Sequence, residues 1–160
     1  MDRRHALAQG RALPGRSEGT AVFADITGFT PITDALVRTY GTQRGAEETT
    51  ALLDRVYGAL IAEVDRHRGA VIGFSGDAIT CWFDGDPGPS AITAALAMRD
   101  AASSLVGLPV VDGSPVPIAV KVTVAPGPIH RFVVGDPGIQ VWDVIAGSTV
   151  ERLEIGRAHV

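Results

Sequence analysis

Gly69 to Phe83 reads GAVIGFSGDAITCWF, two apolar runs separated by Ser75-Gly76-Asp77. Runs of this length, rich in Val, Ile and aromatic residues and meeting at a Gly-containing polar step, predict a β-hairpin with an acid at its tip. Upstream, Leu52, Leu53, Val56, Leu60, Ile61 and Val64 recur at steps of three and four, so Gly45 to His67 is expected to be a helix with one apolar face, stopped by Gly69. Further back, Thr20 to Asp25 (TAVFAD) is a short apolar run closed by an acid and reads as a buried strand. Ile26 to Thr30 (ITGFT) is a Gly-containing turn, and Pro31 favours a helix start, giving a short helix to about Tyr40.

Downstream of the hairpin, Asp84 to Pro89 (DGDPGP) is a turn cluster, and Ser90 is a suitable N-cap for an Ala-rich helix to about Leu105. Val116 to Val124 alternates as a strand does, and Pro126-Gly127-Pro128 is expected to break it. Ile129 to Val134 and Gln140 to Ile145 read as two further strands joined by a turn, and a helix begins at Thr149. Strand, helix, helix, hairpin, helix and then strands is an α+β order. A ferredoxin-like core follows, with a mostly antiparallel sheet and helices packed on one face.

The bulk properties restrict function. Hydrophobic residues make up 46% and charged residues 20% of 160 residues, which suits one globular domain. The formal net charge is −4 and no Lys/Arg cluster marks a nucleic-acid face. A nucleotide remains compatible with that charge, because a metal ion can supply the positive charge. The single cysteine, Cys81, lies inside an apolar run and reads as a buried thiol in a reducing compartment. No apolar run approaches the ~20 residues that span a bilayer, and the basic N-terminus lacks the apolar core of a secretory signal. A cytoplasmic location is the expectation.

Two acids stand out. Asp25 closes a strand and Asp77 sits at a hairpin tip, each beside glycine. Carboxylates are hard oxygen ligands suited to Mg²⁺. The turn after Asp25 leads into a helix N-terminus, where free backbone N–H groups favour phosphate, and Gly28 allows close approach. Either acid alone reads more readily as a cap or turn residue. Asp136 and Asp143 are read as turn residues, Trp82 and Trp142 as sheet-face packing, Arg152 as a solvated helix residue, and His67 as a helix C-terminal residue.

The stretch Val22 to Thr30 (VFADITGFT) resembles the first metal-binding motif of class III adenylyl and guanylyl cyclases, and Gly69 to Phe83 resembles the hairpin with their second metal aspartate. Val120 to Gly147 is similar to the later strands of the first catalytic half of soluble adenylyl cyclases, so the resemblance spans about Thr20 to Leu153. It implies that Asp25 and Asp77 are the catalytic carboxylates and hold two Mg²⁺ (or Mn²⁺), with the Ile26 carbonyl assisting. It implies that Thr27, Gly28, Phe29 and Thr30 bind the nucleotide phosphates. The reaction implied converts ATP or GTP to a 3′,5′-cyclic nucleotide and pyrophosphate at a dimer interface.

Two departures qualify the match. Many members carry a lysine where this chain has Gly73, and Asn and Arg positions expected after Gly147 meet Ser148-Thr149-Val150-Glu151-Arg152. The expectation is therefore a metal-donating half, inactive or very slow as a homodimer and completed by a complementary half. A cyclase-like regulatory or dimerisation module is the alternative. A diguanylate cyclase is disfavoured because Ser75-Gly76-Asp77 replaces its tandem Gly-Gly-Asp loop. Residues 1–18 are read as a flexible lead-in and 19–154 as a C-terminally truncated cyclase domain. Residues 155–160 are read as sequencing-adapter artefact, since ATCGGAAGAGCACACGTC, a string within a common short-read adapter, encodes Ile155 to Val160.

Overall fold

The computed structural model describes residues 14–105, 110–111, 114–115, 118–136 and 139–158. The chain runs β1 (Arg16–Thr27), α1 (Phe29–Tyr40), α2 (Thr42–Arg66), β2 (Ala70–Ser75), β3 (Ala78–Asp84) and α3 (Pro89–Ser103). A small hairpin, β4 (Val110–Val111) and β5 (Ser114–Pro115), precedes β6 (Ala119–Asp136), β7 (Gln140–Ala146) and α4 (Ser148–Ala158). Five strands form one antiparallel sheet in the order β2-β3-β1-β6-β7. This is the expected α+β class. The first strand begins at Arg16, earlier than its apolar run suggested, because Arg16 to Thr27 pairs continuously with His130 to Ala119 of β6.

Strand alternation divides the core. Val22, Ala24 and Ile26 of β1 join Ile79, Cys81 and Phe83 of β3 against the apolar stripes of α1, α2 and α3. The Ala-rich face of α3 packs as its composition suggests, with Ala91, Ala94, Met98 and Ala102 buried. Ala21, Phe23, Trp82, Ala125 and Ile129 point to the other face, where Leu153 of α4 packs on them. Cys81 is buried, and burial followed by the charge of Asp65 pushes its thiol up to about 12. The native protein should therefore leave Cys81 unmodified by a thiol reagent at pH 8, and unfolded protein should react fully. Fast native modification would contradict this burial.

Several local expectations are corrected. Pro126-Gly127-Pro128 does not end a strand; β6 continues through it. β7 pairs with β6 only from His130 onward, so these prolines lie where β6 has a strand neighbour on one side alone, the setting in which a sheet tolerates proline. On the open side, the Thr149 hydroxyl donates to the Pro128 carbonyl at 2.6 Å and the Arg152 guanidinium donates to the Pro126 carbonyl. Ser90 is not the cap of α3. Gly88 holds the N-cap position and the Asp86 carboxylate accepts from the Ser90 and Ala91 amides at 3.2 and 2.9 Å. Gly69 is not the left-handed residue that ends α2; Arg68 is, with φ 61°. Gly69 serves close approach instead, since a Cβ there would lie 2.7 Å from the Phe83 ring. His67 does occupy the helix C-terminus, its Nδ1 2.8 Å from the Glu63 carbonyl.

Asp143 is no turn residue. It lies within β7, mostly shielded from solvent, and its carboxylate takes a two-pronged contact from buried Arg131, with Nε 3.3 Å from Oδ1. Trp82 is buried as expected, but Trp142 is largely exposed. The register pairs Phe132 with Val144 and Val134 with Trp142, so one face of the β6–β7 hairpin presents four large apolar side chains to solvent. Among the described residues no helix is long and apolar enough to cross a membrane.

Candidate active site

The two acids predicted from the sequence are brought together by strand pairing. Asp25 is the tenth residue of the twelve in β1 and lies opposite Ala78, the first residue of β3. The residue before Ala78 is Asp77, on the two-residue tip between Ser75 and Ala78. The Ile26 amide donates to the Asp77 carbonyl at 3.1 Å, which ties the hairpin tip to the end of the central strand. Both acids are partly exposed, so their carboxylates meet solvent. On the other side of β1, Lys121 of β6 is in register with Asp25 and so shares its face of the sheet.

The turn after Asp25 is short. Thr27 ends β1 and donates its hydroxyl to the Ala119 carbonyl at 3.0 Å. Gly28 takes a left-handed conformation, φ 79° and ψ 11°, as the N-cap of α1, a geometry that favours glycine. No side chain caps this helix. In its first turn the Phe29 and Thr30 amides have no carbonyl one turn back, and Pro31 has no N–H. Ile32 is the first amide to bond within the turn, to the Gly28 carbonyl at 3.4 Å. The sequence Thr27-Gly28-Phe29-Thr30 thus puts backbone donors on the segment that follows Asp25, with Thr30 exposed.

A third side chain belongs to the site and was not apparent in the sequence. Tyr57 of α2 donates its hydroxyl to the Gly76 carbonyl at 3.0 Å, and its ring meets Phe74 edge-on at 5.0 Å. Burial, then the charges of Asp77 and Asp25, hold its phenol above the ordinary tyrosine value. One hydroxyl therefore senses both carboxylates. The available signal was its place beside the apolar stripe, one turn from Leu53 and Ile61, where a polar-tipped aromatic interrupts aliphatic residues.

Other residues lie elsewhere. Gly73 has open space where a Cβ would be, and it lines a cavity of about 850 Å³ with Phe74, Arg131, Trp142 and Asp143. Neither Asp25 nor Asp77 lines that cavity. Arg152 folds along β6, donating to Pro126 and, at 3.4 Å, to the Thr149 hydroxyl. Among the described residues no group of three or more His, Cys, Asp or Glu side chains could hold a metal ion. A cation here would have two carboxylates, with water or phosphate oxygens completing its shell, a donor set that suits Mg²⁺.

No protein-family model and no curated protein matches the sequence. Solved structures do. The guanylate cyclase domain of RhGC from Catenaria anguillulae, in complex with GTP, is similar at 20% identity and a TM-score of 0.67, over 88% of this chain and 72% of that one. The adenylyl cyclase CyaB from P. aeruginosa is similar at 19% identity and a TM-score of 0.66, over 89% and 72%. The guanylyl cyclase Cya2 gives 18% identity and a TM-score of 0.67, over 88% and 68%. The chain has the fold of class III nucleotide cyclase catalytic domains.

Proposed function

We propose that this chain is the metal-donating half of a class III nucleotide cyclase acting on ATP or GTP. The observation that carries the reading is the Ile26 amide bond to the Asp77 carbonyl, which sets the second acid beside the strand end that bears the first. Asp25, Asp77 and the Ile26 carbonyl are the groups that would hold two Mg²⁺ or Mn²⁺. Such ions, when bound, make a ribose hydroxyl more acidic and neutralise charge on leaving phosphates. In the reaction the ribose 3′-oxygen bonds to the α-phosphorus, the bond from that phosphorus to the bridging oxygen breaks, pyrophosphate leaves, and the hydroxyl proton passes to solvent.

The chain's own part is to bind and orient. The backbone of Gly28, Phe29 and Thr30, with the Thr30 hydroxyl, would hold the β- and γ-phosphates at the N-terminus of α1. The Thr27 hydroxyl donates its one proton to the Ala119 carbonyl, so it has none left for a phosphate oxygen and its part is to hold the turn. The exposed apolar face of the β6–β7 hairpin supports a partner domain, since a patch of paired large side chains on one strand face marks an interaction surface. A complementary half would supply base recognition, because Gly73 offers no side chain to a purine. The same glycine favours the second reading, a module that keeps the fold for regulation or dimerisation without turnover.

The test is cyclic-nucleotide formation from ATP and from GTP with Mg²⁺ or Mn²⁺, by this chain alone and mixed with a complementary cyclase half. Product in the mixture and little from the chain alone is expected, and the better substrate identifies the base. Robust product from the chain alone overturns the half-site assignment. No product from a folded heterodimer leaves the regulatory reading.

A further inference from the structure

We infer that Tyr57 is a positioning residue that pins the hairpin tip and so fixes where the Asp77 carboxylate stands; the role in catalysis rests on the cyclase reading above. The tip has two backbone tethers. The Asp77 carbonyl accepts from the Ile26 amide of β1. The preceding carbonyl, that of Gly76, accepts from the Tyr57 hydroxyl of α2. The peptide unit before Asp77 and the one after it are thus held by two different elements. Gly76, with φ 62°, lies in the left-handed region, and β2 is an edge strand with a register shift between Val71 and Gly73. Left to itself, such a tip has little to fix it. The edge-on contact with Phe74 at 5.0 Å holds the Tyr57 ring on the same hairpin, so the hydroxyl reaches Gly76 from a side chain already anchored.

Burial first, then the charges of Asp77 and Asp25, raise the phenol above the ordinary tyrosine value, so it stays protonated and able to donate at neutral pH. Tyr57 is not offered as a metal ligand or an acid. Its hydroxyl proton is committed to Gly76, and its effect passes through the backbone.

Tyr57→Phe removes the hydroxyl and keeps the ring on Phe74. Two readouts separate positioning from general stability. The first is hydrogen exchange of the Ile26 amide by NMR, which reports the tip without any metal. The second is the Mn²⁺ concentration for half-maximal activity of the chain with its complementary half. Loss of one hydrogen bond should speed Ile26 exchange and raise the Mn²⁺ requirement by about fivefold each, with the melting temperature lowered by no more than about 3 °C. Unchanged Ile26 exchange overturns the positioning role whatever the metal response. Faster Ile26 exchange with an unchanged Mn²⁺ requirement overturns the link to the metal site. If the wild-type mixture shows no Mn²⁺-dependent product while Ile26 exchange still rises in Tyr57→Phe, the cyclase reading fails and the structural pin stands.

Discussion

Asp25→Ala in the mixed assay is expected to lower cyclic-nucleotide formation by roughly a thousandfold, equivalent to about 4 kcal/mol of transition-state stabilisation. The size follows from the donor set. Only Asp25 and Asp77 offer carboxylates at this place, and no third His, Cys, Asp or Glu gathers with them among the described residues. Losing one leaves a single carboxylate for both ions. Fold stability should change little, because Asp25 is partly exposed at a strand end and its strand remains paired on both sides. Asp25→Asn should lose nearly as much activity, since the amide keeps the shape and removes the charge. Asp77→Asn should match it, and the double variant should be no worse than either single, as residues acting as a unit are not additive. The measurements are kcat at saturating Mn²⁺ and a thermal melt. A loss below tenfold in Asp25→Ala, with an intact melt, would rule out its metal role.

The largest stability effect is expected at Asp143→Ala. The Arg131–Asp143 pair is largely buried, with side chains 6% and 10% exposed. Truncating the acid leaves a buried guanidinium without its carboxylate, which costs about 3–5 kcal/mol. For a domain of this size that lowers the melting temperature by roughly 10 °C. The paired replacement Arg131→Met with Asp143→Leu removes both charges and fills the space, and should recover most of the loss, because a buried ion pair repays its desolvation poorly. Thermal melts of the single and double variants decide it. A single variant that melts within about 2 °C of the wild type would mean that water already reaches the pair.

The two acids were legible as candidates because their signal is local. An acid at the end of an apolar run, and another between two such runs, can be read from a few neighbours each. Their meeting depends on β1 pairing with β3, which periodicity alone does not reveal. Pro126-Gly127-Pro128 misled for the opposite reason. Its local signal is strong, but twelve paired positions with β1 outweigh it, and only the sheet order shows that β7 stops short of it. Asp143 resembled a turn acid until the β6–β7 pairing set it opposite Val133 and diagonal to Arg131. Tyr57 was invisible because its partner lies nineteen residues away on a hairpin whose approach to α2 is a tertiary event.

The two acids are mounted on unequal supports. Asp25 stands on β1, the middle strand of five, with a ladder on each flank. Asp77 hangs from a two-residue tip whose outer strand has one neighbour only. Backbone openings grow rarer as paired neighbours increase, so one carboxylate is the fixed jaw of a vice and the other is the moving jaw. Sequence drift in the hairpin can then retune how tightly the jaws close without disturbing the strand that holds the fold together. Under the proposed function, changes that adjust cation preference therefore belong on β2, β3 and the α2 face behind them, and not on β1.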